Sequence, residues 1–192
     1  NVPPVLSTPT AGSISESADS SDTTTSGLSG TLTASDANSG DTLTYGITGG
    51  SVDNGVSTLA GSYGSLALNT SSGAYSYTPN NASIEALCAG AISDSFTVSV
   101  TDGSDTTTAP YIVNITGADD PAAITGDSSG SGAEDNAITG TLTATDVEGL
   151  TDNTYFTVST EPSNGSASID PASGAWSYTP TANFNGSDAF TV

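Results

Sequence analysis

Twenty-one aspartates and glutamates stand in this chain of 192 residues, with no lysine, arginine or histidine. The acids are gathered. Asp36, Asn38 and Asp41 lie in SDANSGD, Asp102 and Asp105 in TDGSD, Asp119 and Asp120 in GADDP, and Asp146 and Glu148 in TDVEG. Glu16 and Glu134 hold matching places near the ends of two first strands. A D-x-N or D-x-E turn points two oxygens at one place, and a second loop with its own Asp adds to a shell of the six to eight oxygens that Ca2+ takes. Packed carboxylates otherwise raise one another's pKa. The formal charge of -21 has no internal counter-ion except the chain amino group, so the expected cofactor is Ca2+ from solution.

The same composition excludes other chemistries. Nucleic acid is not an expected partner, because phosphate binding depends on Lys and Arg, and docking on anionic lipid is disfavoured for the same reason. Catalysis is not expected, since the usual general bases and nucleophile activators are missing. Two carboxylates can hydrolyse a glycoside, but the acidic pairs here fall on turns without an arguable cleft. No run approaches the roughly 20 apolar residues of a membrane span. The opening NVPPVLSTPT has neither the basic nor the apolar region of a signal peptide, so it reads as mature chain or as an excerpt from a longer one. Cys88 is the single cysteine. It forms no intrachain disulfide and is expected as a small buried apolar side chain.

The acidic clusters need strands to carry them. Leu32 and Ala34 alternate with threonines; Leu43, Tyr45 and Ile47 follow, then Leu66 and Leu68, Tyr75 and Tyr77, Phe96, Val98 and Val100, and Tyr111, Val113 and Ile115. With a first strand across Val5 to Ile14, this predicts seven short strands in about 115 residues, the pattern of an all-β sandwich. SIEALCAG (Ser83 to Gly90) places Ile84, Leu87 and Cys88 at helical spacing, which predicts one helical turn. Tyr75 with Tyr77, and Trp176 with Tyr178, are spaced i, i+2 and so share the core face of a strand.

A second copy follows. GTLTASDANSGD (Gly30 to Asp41) returns as GTLTATDVEGL (Gly140 to Leu150), offset by 140 - 30 = 110. GSLALNTSSGAYSYTP (Gly64 to Pro79) returns as GSASIDPASGAWSYTP (Gly165 to Pro180) at 165 - 64 = 101, and DSFTV (Asp94 to Val98) as DAFTV (Asp188 to Val192) at 188 - 94 = 94. The loops of the second copy are therefore nine and then seven residues shorter. The expectation is two tandem immunoglobulin- or cadherin-like Greek-key sandwiches, residues 1–118 and 119–192, the second without its last strand. That strand is either part of a longer array or donated by another chain through β-augmentation.

The run LTASDANSGDTLTYGI, its partner LTATDVEGL, a glutamate upstream of each and the ADDP linker resemble the cadherin arrangement that holds calcium between tandem domains. GSLALNTSSGAYSYTPNNASIEAL, followed by DSFTVSVTDG and VNITGADDP, resembles the VCBS and bacterial cadherin-like repeats of large RTX-type surface adhesins. The resemblance implies one calcium site between the domains from Glu16, Asp119, Asp120, Asp146 and Glu148. It implies a second at the upper end of the first domain from Asn1, Asp36, Asn38 and Asp102, with help from Asp41 and Asp105. The expected function is a calcium-stiffened structural extender, extracellular at a cell surface, whose partners are neighbouring repeats or identical subunits. Two alternatives stand beside it: a filament subunit polymerising by strand donation, and a carbohydrate-binding module for surface glycans. The latter needs an exposed aromatic, and Tyr63 is the one placed on a loop of the first copy. Five N-x-S/T sequons stand at Asn69, Asn81, Asn114, Asn164 and Asn185; several are expected by chance in so Asn-, Ser- and Thr-rich a chain, although glycan would suit an exposed fibre.

Overall fold

The computed structural model describes residues 1–19, 21–150 and 154–192, in two compact units, Asn1–Asp120 and Pro121–Val192. The first contains β1 (Val5–Leu6), β2 (Gly12–Ser15), β3 (Leu28–Thr31), β4 (Ala34–Ser35), β5 (Thr44–Ile47), β6 (Ser51–Asp53), β7 (Val56–Ala60), β8 (Gly64–Asn69), β9 (Ala74–Pro79), the single turn α1 (Asn81–Ile84), β10 (Gly90–Thr101) and β11 (Thr106–Gly117). One sheet has the order β2-β11-β10-β5 and the other β3-β9-β8-β7-β6, with β1 and β4 forming a separate pair.

Strict alternation builds this sandwich. In β10, Phe96, Val98 and Val100 are buried, and in β11, Tyr111, Val113 and Ile115, while Ile112 and Asn114 between them face outward. Leu66, Leu68 and Tyr77 meet them from the other sheet. Each such aliphatic side chain contributes roughly 1.5–3 kcal/mol on burial, so a short-stranded domain without ion pairs still has a closed core. Tyr77 packs edge-on to Phe96 and Tyr75 lies against Tyr111, so these tyrosines belong to the core side as expected.

Several elements differ from expectation. The first strand is not continuous across Val5 to Ile14: β1 pairs with β4, whereas β2 pairs in parallel with β11. Pro9 lies in the crossing, where a residue without an N–H costs no ladder bond. The second strand breaks likewise after Thr31, because β3 pairs with β9 and β4 with β1. The β6–β7 hairpin was not anticipated, although its Asp53-Asn54-Gly55 sequence is a strong turn signal; Asn54 and Gly55 both have positive φ. The helical turn ends at Ile84, and Ile84 and Glu85 take the inward positions. Cys88 lies beyond that turn as the chain enters β10 and is exposed, not buried.

The second unit has β12 (Ala123–Gly126), β13 (Ile138–Thr145), β14 (Gly165–Ile169) and β15 (Ala175–Pro180), in one sheet ordered β12-β13-β15-β14. Leu142, Phe156, Trp176 and Tyr178 form its core, with Ile138, Tyr155 and Phe190 packed against them. Trp176 and Tyr178 therefore face inward, as their spacing predicts. Opposite this sheet, among the described residues, the only pairing is the bridge between Thr160 and Thr191.

One device recurs in both units. Asp94, 4% exposed, accepts hydrogen bonds from the Ser62 and Tyr63 backbone N–H groups at 2.8 and 3.1 Å and from the Tyr77 hydroxyl at 2.7 Å. Asp188 accepts from the Ser163 and Asn164 N–H groups at 3.1 and 2.7 Å and from the Tyr178 hydroxyl at 3.0 Å. A carboxylate can be held without a cation when N–H and O–H donors surround it. Here it ties the loop before β8, or before β14, to the strand opposite.

Candidate metal sites

At one end of the first unit, the turn after β4 and the β10–β11 turn approach each other. Carboxylate oxygens of Asp36, Asp41 and Asp102 lie within 4.8 Å of one another. Each turn is shaped by its own acid: Asp36 accepts from the Asn38 N–H at 2.7 Å, and Asp102 from the N–H groups of Ser104 and Asp105, both at 2.7 Å. The Asn1 amide donates to Asp102 and Asp105 at 2.8 Å each, and the Val2 N–H donates to Asn38 Oδ1 at 2.8 Å. All six residues named from sequence for this end thus come together, Asp41 as close as any. The Asp102 carboxyl is held below the usual range, first by the Asp105 N–H, then by the Asn1 amide and the Ser104 N–H. Asp36 Oδ2 is shielded from solvent and accepts no hydrogen bond.

At the other end of this unit, Glu16 follows β2 and is nine-tenths buried. Its backbone N–H continues the pairing of β2 with β11 by donating to Thr116 O at 2.9 Å, which fixes where its side chain starts. Oε2 accepts from the Ala118 N–H at 2.7 Å, while Oε1 is shielded and accepts nothing. A carboxylate oxygen of Asp120, itself 4% exposed, lies within 4.8 Å of one of Glu16. Asp119 beside it is exposed.

The acids of the second unit are described by themselves. Asp146 accepts from the Glu148 N–H at 3.0 Å, the same two-residue turn that Asp36 makes with Asn38, and both side chains are half-buried. Glu134 is exposed in a segment that forms no strand. The oxygen-only donor sets, with a buried carboxylate oxygen lacking a donor at each end of the first unit, fit a hard cation such as Ca2+. They offer no nitrogen or sulfur ligand.

Tyr63 is on a loop as expected, yet it packs against the core and its N–H serves Asp94. It offers no open aromatic platform. Sequence reasoning missed the two clip aspartates, Asp94 and Asp188, although DSFTV and DAFTV carry them at the same place in the repeat.

Two sandwiches in tandem, with acidic turns at their ends, define a class of modular repeat protein. This chain belongs to the bacterial cadherin-like domain family, whose description matches residues 1–117, and a bacterial Ig domain matches residues 118–192. Domains of these families are usually extracellular and typically structural, non-enzymatic modules. No curated protein matches the chain. Among solved structures it is similar to the Sidekick-1 immunoglobulin domains 1–5 (13% identity, TM-score 0.33, 98% of this chain and 38% of that one). It is similar also to an endo-fucoidan hydrolase of glycoside hydrolase family 107 (19% identity, TM-score 0.31, 98% and 28%) and to a three-domain immunoglobulin segment of titin (10% identity, TM-score 0.29, 100% and 64%). The chain spans less than two thirds of each, and likenesses this slight carry no functional argument. Among the described residues, no helix is long and apolar enough to cross a membrane.

Proposed function

We propose that the chain is a structural spacer of an extracellular surface protein, of the VCBS-repeat adhesin type, that binds Ca2+ at the ends of its first unit and is stiffened by it. The observation that carries this reading is Glu16. It is a nine-tenths buried carboxylate with one oxygen accepting no hydrogen bond, close to Asp120, in a chain that has no basic side chain to offer. Burying such a charge unpaired costs several kcal/mol, and a divalent ion offsets that cost. Asp36, Asp41 and Asp102 supply a second oxygen set of the same kind, and Asn38 enters on the sequence reading alone. Asp119, Asp146 and Glu148 enter the proposal as further ligands on the sequence reading alone.

An ion that binds only the folded state stabilises by about 2.7 kcal/mol at a hundred times its Kd. Calorimetric melts in Ca2+ and in EDTA test this. The expected result is a rise in the melting temperature of the first unit, reduced in Glu16→Gln and Asp36→Asn chains, and a more extended small-angle scattering profile. Identical melts and profiles with and without the ion would sink the calcium mechanism and leave an ion-independent spacer.

A further inference from the structure

Between β2 and the run 22–28 that leads into β3, the first unit has a polar cleft of about 380 Å3. Its closed end is the contact of β2 with β3, where a Cβ on Gly12 would collide with Leu28. Thr25 fixes the far wall by donating its N–H to Asn81 Oδ1 of α1 at 3.2 Å. Six of the lining residues carry a hydroxyl, and two, Glu16 and Asp22, carry a carboxylate.

Glu16 makes this cleft more than a gap at the edge of a sandwich. It is nine-tenths buried, its Oε2 is taken by the Ala118 N–H, and its Oε1 accepts no hydrogen bond although six hydroxyls line the cleft. A neutral occupant would supply a hydrogen bond and leave both carboxylates uncompensated, whereas a cation answers both needs. There is room for one with its waters, since a water molecule takes about 30 Å3 of liquid. The outer wall, Asp22 and Thr24, is exposed.

Asp19 and Asp22 stand in one turn, where the Asp22 N–H donates to Asp19 O at 2.7 Å. Their carboxylates are used differently. Asp19 Oδ1 accepts from the N–H and the hydroxyl of Ser21 at 3.0 and 2.7 Å, and Asp19 does not line the cleft. Asp22 lines it, with Oδ1 held by the Thr24 hydroxyl at 2.9 Å. Asp22 is not one of the acids whose oxygens gather within 4.8 Å with those of Glu16 and Asp120, so it meets an ion there through water.

We propose that this cleft is the entrance and outer wall of the Glu16 calcium site, and that Asp22 is a further ligand holding the ion through one of its waters. A hydrated Ca2+ enters past Asp22 and Thr24, exchanges a water for Glu16 Oε1 and keeps another against Asp22. Coordination by six to eight oxygens in a flexible geometry accommodates such a mixed shell. This inference rests on the calcium reading of Glu16 and adds to it a residue that none of the acidic sequence motifs contains.

The two turn acids make the test. Asp19→Asn and Asp22→Asn remove the same charge from the same turn, so long-range attraction falls alike in both and the loss of a ligand separates them. Calcium titrations of the intact chain are followed by calorimetry, with Glu16→Gln identifying the binding step that belongs to this site. Asp22→Asn is expected to weaken that step roughly tenfold, the lower range for groups that act through a metal's outer shell, while Asp19→Asn stays close to wild type. Ca2+ is expected to slow amide exchange at 21–26 in the wild-type chain and not in Glu16→Gln. Equal shifts in the two turn variants, or unchanged exchange at 21–26 with the ion bound, would overturn the role of Asp22 and leave the Glu16 site standing. A titration in which Glu16→Gln loses no step would remove the calcium reading and this inference with it.

Discussion

In the first unit β2, β11, β10 and β5 form a sheet against β3-β9-β8, whereas the described residues of the second unit form one four-stranded sheet and, opposite it, the bridge of Thr160 with Thr191. The signals of β3, β8 and β9 return in β13, β14 and β15, with the turn glycine Gly73 matched by Gly174, but GSIS of β2 becomes GSGA at 130–133. The contrast teaches that a strand needs apolar alternation of its own as well as a neighbour to complete its ladder. Ser13 and Ile14 pair with Asn114 and Ile115 and are strand, while the corresponding stretch around Gly132 is not.

The clip aspartates break this comparison most sharply. Asp94→Ala leaves the Ser62 and Tyr63 N–H groups and the Tyr77 hydroxyl without their acceptor in a buried site, and loss of roughly 3 kcal/mol is expected from the first unit. Asp188→Ala does the same in a more open setting and is expected to cost less. Hydrogen exchange followed separately on β8–β10 and on β14–β15 reads the two effects; equal losses would show that the second unit is as closed as the first.

Next come the paired turn glycines. Gly73 and Gly174 both have left-handed φ, +71° and +70°, and a Cβ would press on the Leu32 and Leu142 carbonyl oxygens respectively. Either change to alanine costs about 1–2 kcal/mol in backbone conformation alone, with the contact in addition. Chemical denaturation of Gly73→Ala and Gly174→Ala chains is expected to destabilise each unit in turn. An unaffected second unit would mean that its turn is free to relax.

Tyr77→Phe is expected to cost about 1 kcal/mol, the net value of a typical hydrogen bond. The Tyr77 phenol titrates above its ordinary value, because burial and then the bond to Asp94 disfavour phenolate. A pKa raised on folding gives stability that is full below the unfolded value, about 10, and is lost as pH rises through the folded value. The wild-type first unit should therefore weaken above pH 10, with the contribution of Tyr77 to that loss gone in the Tyr77→Phe chain.

The smallest effect lies at acid pH. Asp19 and Asp102 in the first unit, and Asp170 and Asp188 in the second, are held below the ordinary carboxylate range. For Asp170 the cause is the N–H and hydroxyl of Ser173, then the Ala172 N–H. For Asp188, burial pushes upward and the N–H groups of Asn164, Ala189 and Ser163 outweigh it. A depressed pKa gives stability present above the unfolded value, about 3.9, and lost as pH falls through the folded one. Two of the four lie in each unit, so melts taken between pH 5 and 2 should show both units weakening. A loss confined to one unit would show that the depressed acids of the other contribute nothing measurable.

Much of this was legible in the residues. Period-two alternation at Phe96, Val98 and Val100 and at Tyr111, Val113 and Ile115 fixes which face is core, because successive side chains point to opposite sides. The meeting of Asp36 with Asp102 was legible too, since both turns follow strands that end at the same edge. What stayed hidden depends on partners distant in sequence. Nothing local in Val5 to Ile14 says that β1 and β2 join different neighbours, and nothing in DSFTV says that its aspartate receives a loop 31 residues away.

By itself, the sequence determined two sandwich modules, their inward faces and a charge that no internal cation can balance, because these follow from periodicity, repetition and composition. Only the tertiary structure decided that Asp94 and Asp188 are served by N–H and hydroxyl donors, while Glu16 keeps one buried oxygen without any. Whether a carboxylate needs a metal depends on the donors that folding brings to it, and those come from elsewhere in the chain.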